Sequence, residues 1–239
     1  MRLSPRRDPL PLMLLVLTGT TGLVDAVSYL GFGHVFTANM TGNIVFLGFA
    51  AAGVKGLSVT RSLVSLAAFL LGALIGGRIA TTYGDGPRRR WLVPVLIGEA
   101  ALLCAAAGSA VGLDVGSNRA RLNVVIALTA LAMGLRNATV RHLAEPDLTT
   151  TVLTLTLTGL AADSTFVGGT NPRPARRVGA VVTMLAGAAL GAAMVLHLSR
   201  PLVWPLLLAA VGGVSATALW AAHPSALQPR AGVVAHRGR

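Results

Sequence analysis

Apolar residues fall into eight runs along the chain, at roughly 10–31, 37–54, 60–82, 91–112, 122–142, 148–167, 176–198 and 202–222. Each approaches the ~20 residues that a helix needs to cross a hydrocarbon core about 30 Å thick. The links carry glycine, proline and charge: G-D-G-P-R-R-R at 84–90, D-V-G-S-N-R-A-R at 114–121 and G-G-T-N-P-R-P-A-R-R at 168–177. This pattern predicts an all-α, polytopic membrane helix bundle with a single membrane domain over 10–222. Residues 1–9 form a basic head, and 223–239, polar and without periodicity, are expected to be a disordered tail. The apolar run after the head imitates a secretory leader. It continues past Thr18 with no small-residue cleavage site, so it reads as an uncleaved first span.

The runs repeat. G-L-V-D-A at 22–26 matches G-L-R-N-A at 134–138, and F-L-L-G-A-L-I-G at 69–76 matches M-L-A-G-A-A-L-G at 184–191. L-V-P-V-L-I at 92–97 matches V-W-P-L-L-L at 203–208, and the polar stretch 37–43 falls opposite D-L-T-T-T-V-L-T-L-T at 147–156. The four matches keep one order at a nearly constant offset. That predicts two repeats of four segments, 10–112 and 122–222. Six to eight segments span: if all eight cross, the repeats are parallel, and if segments two and six re-enter, they are inverted. Length favours full crossing, since 18–20 helical residues reach about 27–30 Å.

Composition agrees with a membrane location: 54% of residues are hydrophobic and 12% charged, against about 25% charged in soluble domains. The net charge of +12 comes from nineteen Arg and one Lys, placed mostly in short loops and at the termini. Positive-inside topology and anionic lipid account for that placement, and no nucleic-acid module is present. Both crossing schemes put thirteen basic residues inside and five outside, leaving out Arg78 and Arg136, so charge does not choose between them. Cys104, the one cysteine, is expected to be a buried, inert thiol.

Polar groups at membrane depth need partners. Thr18, Thr21, Asp25 and Ser28 form one helical stripe, with Asp25 a candidate proton- or cation-binding carboxylate. Arg136 lies one residue from the position that matches Asp25, which allows an Asp25–Arg136 pair across the repeat interface, for neutralisation or as a relay. Glu99, in mid-segment four without a sequence-local cation, is either a coupling group or a neutral hydrogen-bonding acid. Asn39, Thr41 and Asn43 in the first half, and Thr151 and Thr154 in the second, are candidate solute contacts. Six threonines among residues 149–158 suggest a hydroxyl-lined wall, although threonine also bonds back to its own helix. Residues 34–48 and 147–156 are expected to face each other across one internal site. Gly72 with Gly76, and Gly187 with Gly191, form G-x-x-x-G pairs that predict close helix packing.

No metal-ligand spacing, P-loop, nucleophile elbow or dinucleotide fingerprint occurs, so no enzyme activity, cofactor or metal is expected. T-G-L-V-D-A-V-S-Y-L at 21–30, followed by G-H-V-F-T-A-N-M-T-G-N at 33–43, resembles the YoaK-like family of bacterial integral membrane proteins, a domain of unknown function. The resemblance covers most of 10–222, including T-T-V-L-T at 150–154. It implies a bacterial inner-membrane protein, and it supplies no substrate and no catalytic residues. The residues themselves point first to a small-solute secondary transporter or permease with a polar cavity between the repeats, coupled to protons through Asp25 or Glu99. The alternative is a non-transporting scaffold or partner-binding subunit. Termini in the cytoplasm fit the charge pattern, and an oligomer stays open.

Overall fold

The computed structural model describes residues 8–84, 86–113, 116, 118–143 and 153–227. Within them lie eight α-helices and no strand: α1 (Leu10–Gly31), α2 (Met40–Ala51), α3 (Val59–Tyr83), α4 (Arg88–Ser109), α5 (Arg119–Leu143), α6 (Leu153–Ala162), α7 (Pro174–His197) and α8 (Val203–Ala221). Local chemistry sets several starts. Asp8 accepts from the Leu10 amide at 3.0 Å, Ser58 from Arg61 at 3.3 Å and Asn118 from Arg121 at 3.0 Å, each satisfying an amide that a helix start leaves without a partner. Pro174 opens α7, where its missing N–H costs nothing. Pro224–Leu227 forms a 3-10 turn against α4, so the ordered chain runs past the expected tail boundary at 223; the 228–239 portion of that tail lies outside the described residues.

Six helices are long and apolar enough to cross a membrane. The other two, α2 with 12 residues and α6 with 10, reach only about 18 and 15 Å. Contacts between helix ends fix the faces. On the first face, Asp8 before α1 bonds to Arg88 of α4 at 3.2 Å and accepts from Ser225 beyond α8 at 2.8 Å. His142 of α5 meets Trp91 of α4 edge-on at 5.6 Å and lies beside Gly84, just past α3. On the second face, Arg61 of α3 donates to the Gly33 carbonyl at 3.4 Å, and Arg121 of α5 to Ser109 of α4 at 2.7 Å. Helix α1 therefore ends, and α3 begins, on the same face. The link carrying α2 returns to the face it left, which corrects the expectation of full crossing. Helix α5 ends on the first face, and α7 starts there beside α1, with Gly179 near Leu15. The α6 link thus also returns. Segment length misled because 37–54 is only part helix; residues 35–39 run non-helical.

Helix α1 packs on α7 and α8, α5 on α3 and α4, and α4 on α8; α2 rests on α3 and α6 on α7. Gly72, Gly76, Gly187 and Gly191 lie at close helix approaches. A Cβ on Gly72 would strike the Leu131 carbonyl, and one on Gly76 would meet that of Leu135 at 2.9 Å. A Cβ on Gly187 would strike the Gly19 carbonyl, and one on Gly191 would meet that of Leu23 at 2.6 Å. Helix backbones touch there, as the G-x-x-x-G pattern predicts. The outer faces of α3 and α7 are apolar and bare, with Leu74 and Leu185 about two-thirds exposed, as lipid contact requires. Cys104 is exposed rather than buried, because it lies on the outward side of α4.

Candidate functional site

Beyond α1, Gly33 and His34 both take positive φ (83° and 59°) and turn the chain back inward. Asp25, six residues or about 9 Å before the end of α1, then accepts from the backbone amides of Thr37 at 3.3 Å and Ala38 at 2.9 Å. Those amides stand just ahead of α2, whose N-terminus points into the protein. One carboxylate thus meets unpaired amides and the positive end of a helix dipole. Asn43, in the first turn of α2, holds the other side of the loop. Its Oδ1 accepts from the Phe36 amide at 2.9 Å, while its Nδ2 donates to the Phe36 carbonyl at 2.7 Å and to Ser65 at 3.3 Å. Ser65 of α3 donates to the same carbonyl at 2.6 Å. Tyr29, Phe36 and Phe46 stack over this latch at 5.1 and 5.8 Å. The sequence signal for the latch is Asn43, a polar side chain in an apolar segment. Its partner, Ser65, carried none.

This geometry redistributes the candidate solute contacts. Asn43 is buried with its amide fully engaged, so it closes the loop instead of facing a solute. Asn39 and Thr41 are exposed on the outer side of the re-entrant segment. In α6, Thr154 and Thr158 are exposed while Thr156 turns inward. Thr151 lies outside the described residues. Helices α2 and α6 lean on α3 and α7 respectively, so the described parts of the two polar stretches do not form one site between them; residues 147–152 lie outside the described residues.

Arg136 and Glu99 do come together. The Arg136 Nη2 bonds to Glu99 Oε1, while Nη1 donates to the Leu17 carbonyl and the hydroxyls of Thr20 and Thr21, each at 2.9 Å. Both hydroxyls donate back to Leu17, at 3.0 and 2.8 Å, and so turn lone pairs toward the guanidinium. Arg136 is fully buried and Glu99 is 2% exposed. The node is where α1, α4, α5 and α8 meet, and Gly213 of α8 flanks it: a Cβ there would stand 3.9 Å from both charged groups. The expected Asp25–Arg136 pair is thereby overturned. Asp25 is taken by the re-entrant amides, and Arg136 finds its acid on α4, so Glu99 has a cation after all. Glu99 Oε2 and Arg136 Nε make no hydrogen bond to the protein. Removing one member of such a pair leaves an uncompensated buried charge, at a cost of about 3–5 kcal/mol.

Two end regions complete the picture. At the second face a cavity of about 640 Å³ opens among the helix ends and loops, lined by Leu30, Gly33, Val111, Leu113, Arg200 and Leu202 among others. At the first face Trp91, Leu92, Leu143 and Ala226 are buried, and the Asp8, Arg88 and Ser225 contacts tie the 3-10 turn across them. Near this face Arg177 of α7 bonds to the Gly159 carbonyl at 2.6 Å and to Asp163 at 2.8 Å, anchoring α6. No group of three or more His, Cys, Asp or Glu among the described residues is placed to hold a metal ion.

The chain belongs to the family described as "Protein of unknown function (DUF1275)", whose family model matches residues 13–219. It is 34% identical over 154 residues to the UPF0700 transmembrane protein YoaK of Bacillus subtilis (strain 168), a match covering 63% of this chain and 65% of that protein's length. No solved structure matches. Membership and the six long apolar helices make this a multi-pass membrane protein.

Proposed function

We propose that the protein is a small-solute secondary transporter whose halves, 10–112 and 122–222, are inverted copies of one unit. The glycine contacts support the duplication, because exchanging the halves maps one set onto the other. Gly72 on Leu131 becomes Gly187 on Gly19, Gly76 on Leu135 becomes Gly191 on Leu23, and Gly134 on Phe69 becomes Gly22 on Met184. Three crossings per half, with one re-entrant helix entering from each face, is the arrangement that gives inverted repeats.

The observation that carries the transport reading is that the exchange fails at the two ends. Leu30, Gly31, Val195 and Leu202 line the open cavity at the second face. Their counterparts are His142, Leu143, Ala80 and Trp91, which are packed together at the first face. Equivalent positions are open at one end and closed at the other, as alternating access around a central site requires. Between the ends lies the Arg136–Glu99 node, and Glu99 is the coupling group of this reading. Asp25 keeps a structural role. The count of thirteen basic residues on the first-face side of this topology, against five on the second, favours a first face and termini in the cytoplasm of a bacterial inner membrane.

The test is proton-driven uptake in proteoliposomes over a panel of small solutes, comparing wild type with Glu99→Gln. Uptake that responds to the proton gradient, and that Glu99→Gln uncouples, supports the reading. Absence of uptake for every solute, from protein that is folded and correctly inserted, overturns it.

A further inference from the structure

Three of the five Arg and Lys residues at the sparsely charged second face border the cavity there. Arg200 lines it. Arg121 reaches over its edge, donating to the carbonyls of Ser109 and of the lining residue Val111, both at 2.7 Å. Arg61 lies against Gly33, another lining residue, and bonds to its carbonyl at 3.4 Å. The remaining two, Lys55 and Arg119, are exposed in loop or helix-start positions. The described carboxylates are Asp8, Asp25, Glu99 and Asp163. None of these four stands at this mouth: Asp8 and Asp163 belong to the first face, Glu99 to the core, and Asp25 is bonded to backbone amides, while Asp114, next to the lining residue Leu113, lies outside the described residues. Low-dielectric walls with charge of one sign focus potential into a cleft and concentrate counter-ions there.

The wall chemistry narrows the counter-ion. Apart from Arg200 and Ser199, the lining is apolar side chains, glycine and proline. Arg121 and Arg61 spend donors on backbone carbonyls, so they offer charge more than a full hydrogen-bonding fork. A polyanion needs many donors, whereas a monoanion with an apolar body needs one good fork and a greasy wall. The volume of about 640 Å³ lies within the range of small-molecule pockets. The lining comes from helix ends and the loops that join them.

We propose that this vestibule binds soluble monocarboxylates with an apolar body, such as aryl or medium-chain alkyl carboxylates, with Arg200 as the carboxylate partner. The proposal deepens the transport reading by naming its solute class, and it is tested by binding alone. Full-length protein in phosphatidylcholine nanodiscs is titrated calorimetrically with benzoate and octanoate, with benzamide and inorganic phosphate as controls. The carboxylates should bind saturably and weaken as salt is added. Benzamide and phosphate should bind at least about tenfold more weakly, and Arg200→Gln should weaken octanoate about tenfold. Val111→Trp should fill the cavity and abolish binding, while Arg119→Gln, on the same face but off the vestibule, should leave the affinity unchanged. Unfolding midpoints of all variants close to wild type guard against misfolding.

Equal binding of benzamide or phosphate, or an unaltered affinity in Arg200→Gln, overturns the proposal. So does displacement of octanoate by a small fraction of anionic phospholipid in the nanodisc, which makes this a lipid site. Binding without uptake sustains the vestibule and overturns transport. Uptake of other solutes without carboxylate binding does the reverse.

Discussion

Arg136 and Glu99, on adjacent helices and 37 residues apart in sequence, form an ion pair sealed from both lipid and water. Its guanidinium also ties α5 to α1 through Leu17, Thr20 and Thr21, so one side chain joins three helices. The first prediction concerns this pair. Glu99→Leu or Arg136→Met should each lower stability by about 3–5 kcal/mol, because each leaves a lone buried charge. The double variant Glu99→Leu with Arg136→Met should recover most of the loss. Unfolding in mixed micelles, followed by the fluorescence of the three tryptophans, gives the four stabilities of the cycle. A double variant whose loss is the sum of the singles removes the coupling inferred from the geometry.

Asp25 acts on the re-entrant loop and not on Arg136. Asp25→Ala should free the amides of Thr37 and Ala38, at about 1.5–3 kcal/mol for charge-assisted bonds. Asp25→Asn keeps a carbonyl oxygen and should lose less. Hydrogen exchange resolved over residues 36–39 is the measurement. Protection there should fall sharply in Asp25→Ala and moderately in Asn, with α5 unaffected.

Within the N-M-T-G-N stretch, the three polar side chains should separate. Asn43→Ala orphans the Phe36 amide and leaves its carbonyl to Ser65 alone, and should cost about 1–3 kcal/mol. Asn39→Ala and Thr41→Ala remove exposed side chains and should stay within about 0.5 kcal/mol of wild type. Equal losses at all three positions would mean that the latch is misassigned.

The part of this fold that sequence discloses is the part set by local chemistry. The six long spans follow from apolar length, and Gly72, Gly76, Gly187 and Gly191 follow from spacing, since backbone contact tolerates no Cβ. Re-entry was hidden because 37–54 has a span's length and apolarity, while only residues 40–51 are helical. What turns the chain inward is a pair of positive-φ residues and a carboxylate twelve residues upstream. The Arg136–Glu99 pair was hidden for a different reason. The sequence match points Arg136 at Asp25, but under the proposed duplication the equivalents of Arg136 and Glu99 are the buried apolar residues Val24 and Ala210. A pair present in only one half of such a duplication leaves no trace in the match between halves.

The glycine contacts should behave as matched pairs. Gly72→Leu and Gly187→Leu both drive a side chain into a facing carbonyl, and both should destabilise to a similar degree. Overpacking costs typically about 1–3 kcal/mol, and more where backbone must yield. Gly213→Ala is the contrast: its nearest neighbours lie at 3.7–3.9 Å, ordinary contact, so the variant should fold with near wild-type stability. Unfolding midpoints of the three variants decide the matter. Unequal losses at 72 and 187 argue against matched interfaces.

Re-entry itself is open to a direct reading by accessibility. In a Cys104→Ser background, single cysteines replace His34, Lys55, Arg89, Arg141 and Thr170, all exposed in the structure. A membrane-impermeant maleimide is applied to right-side-out and to inverted vesicles. The fold requires His34→Cys and Lys55→Cys to label from one side, because α2 returns to the face that α1 reached. It requires Arg141→Cys and Thr170→Cys to label together from the opposite side, along with Arg89→Cys, because α6 returns to the face that α5 reached. If segments two and six crossed instead, each pair would split between the two vesicle types. The charge count cannot separate these schemes, and length alone favours the wrong one. A split of either pair would therefore remove the inverted arrangement, and with it the mapping of the open second face onto the packed first face.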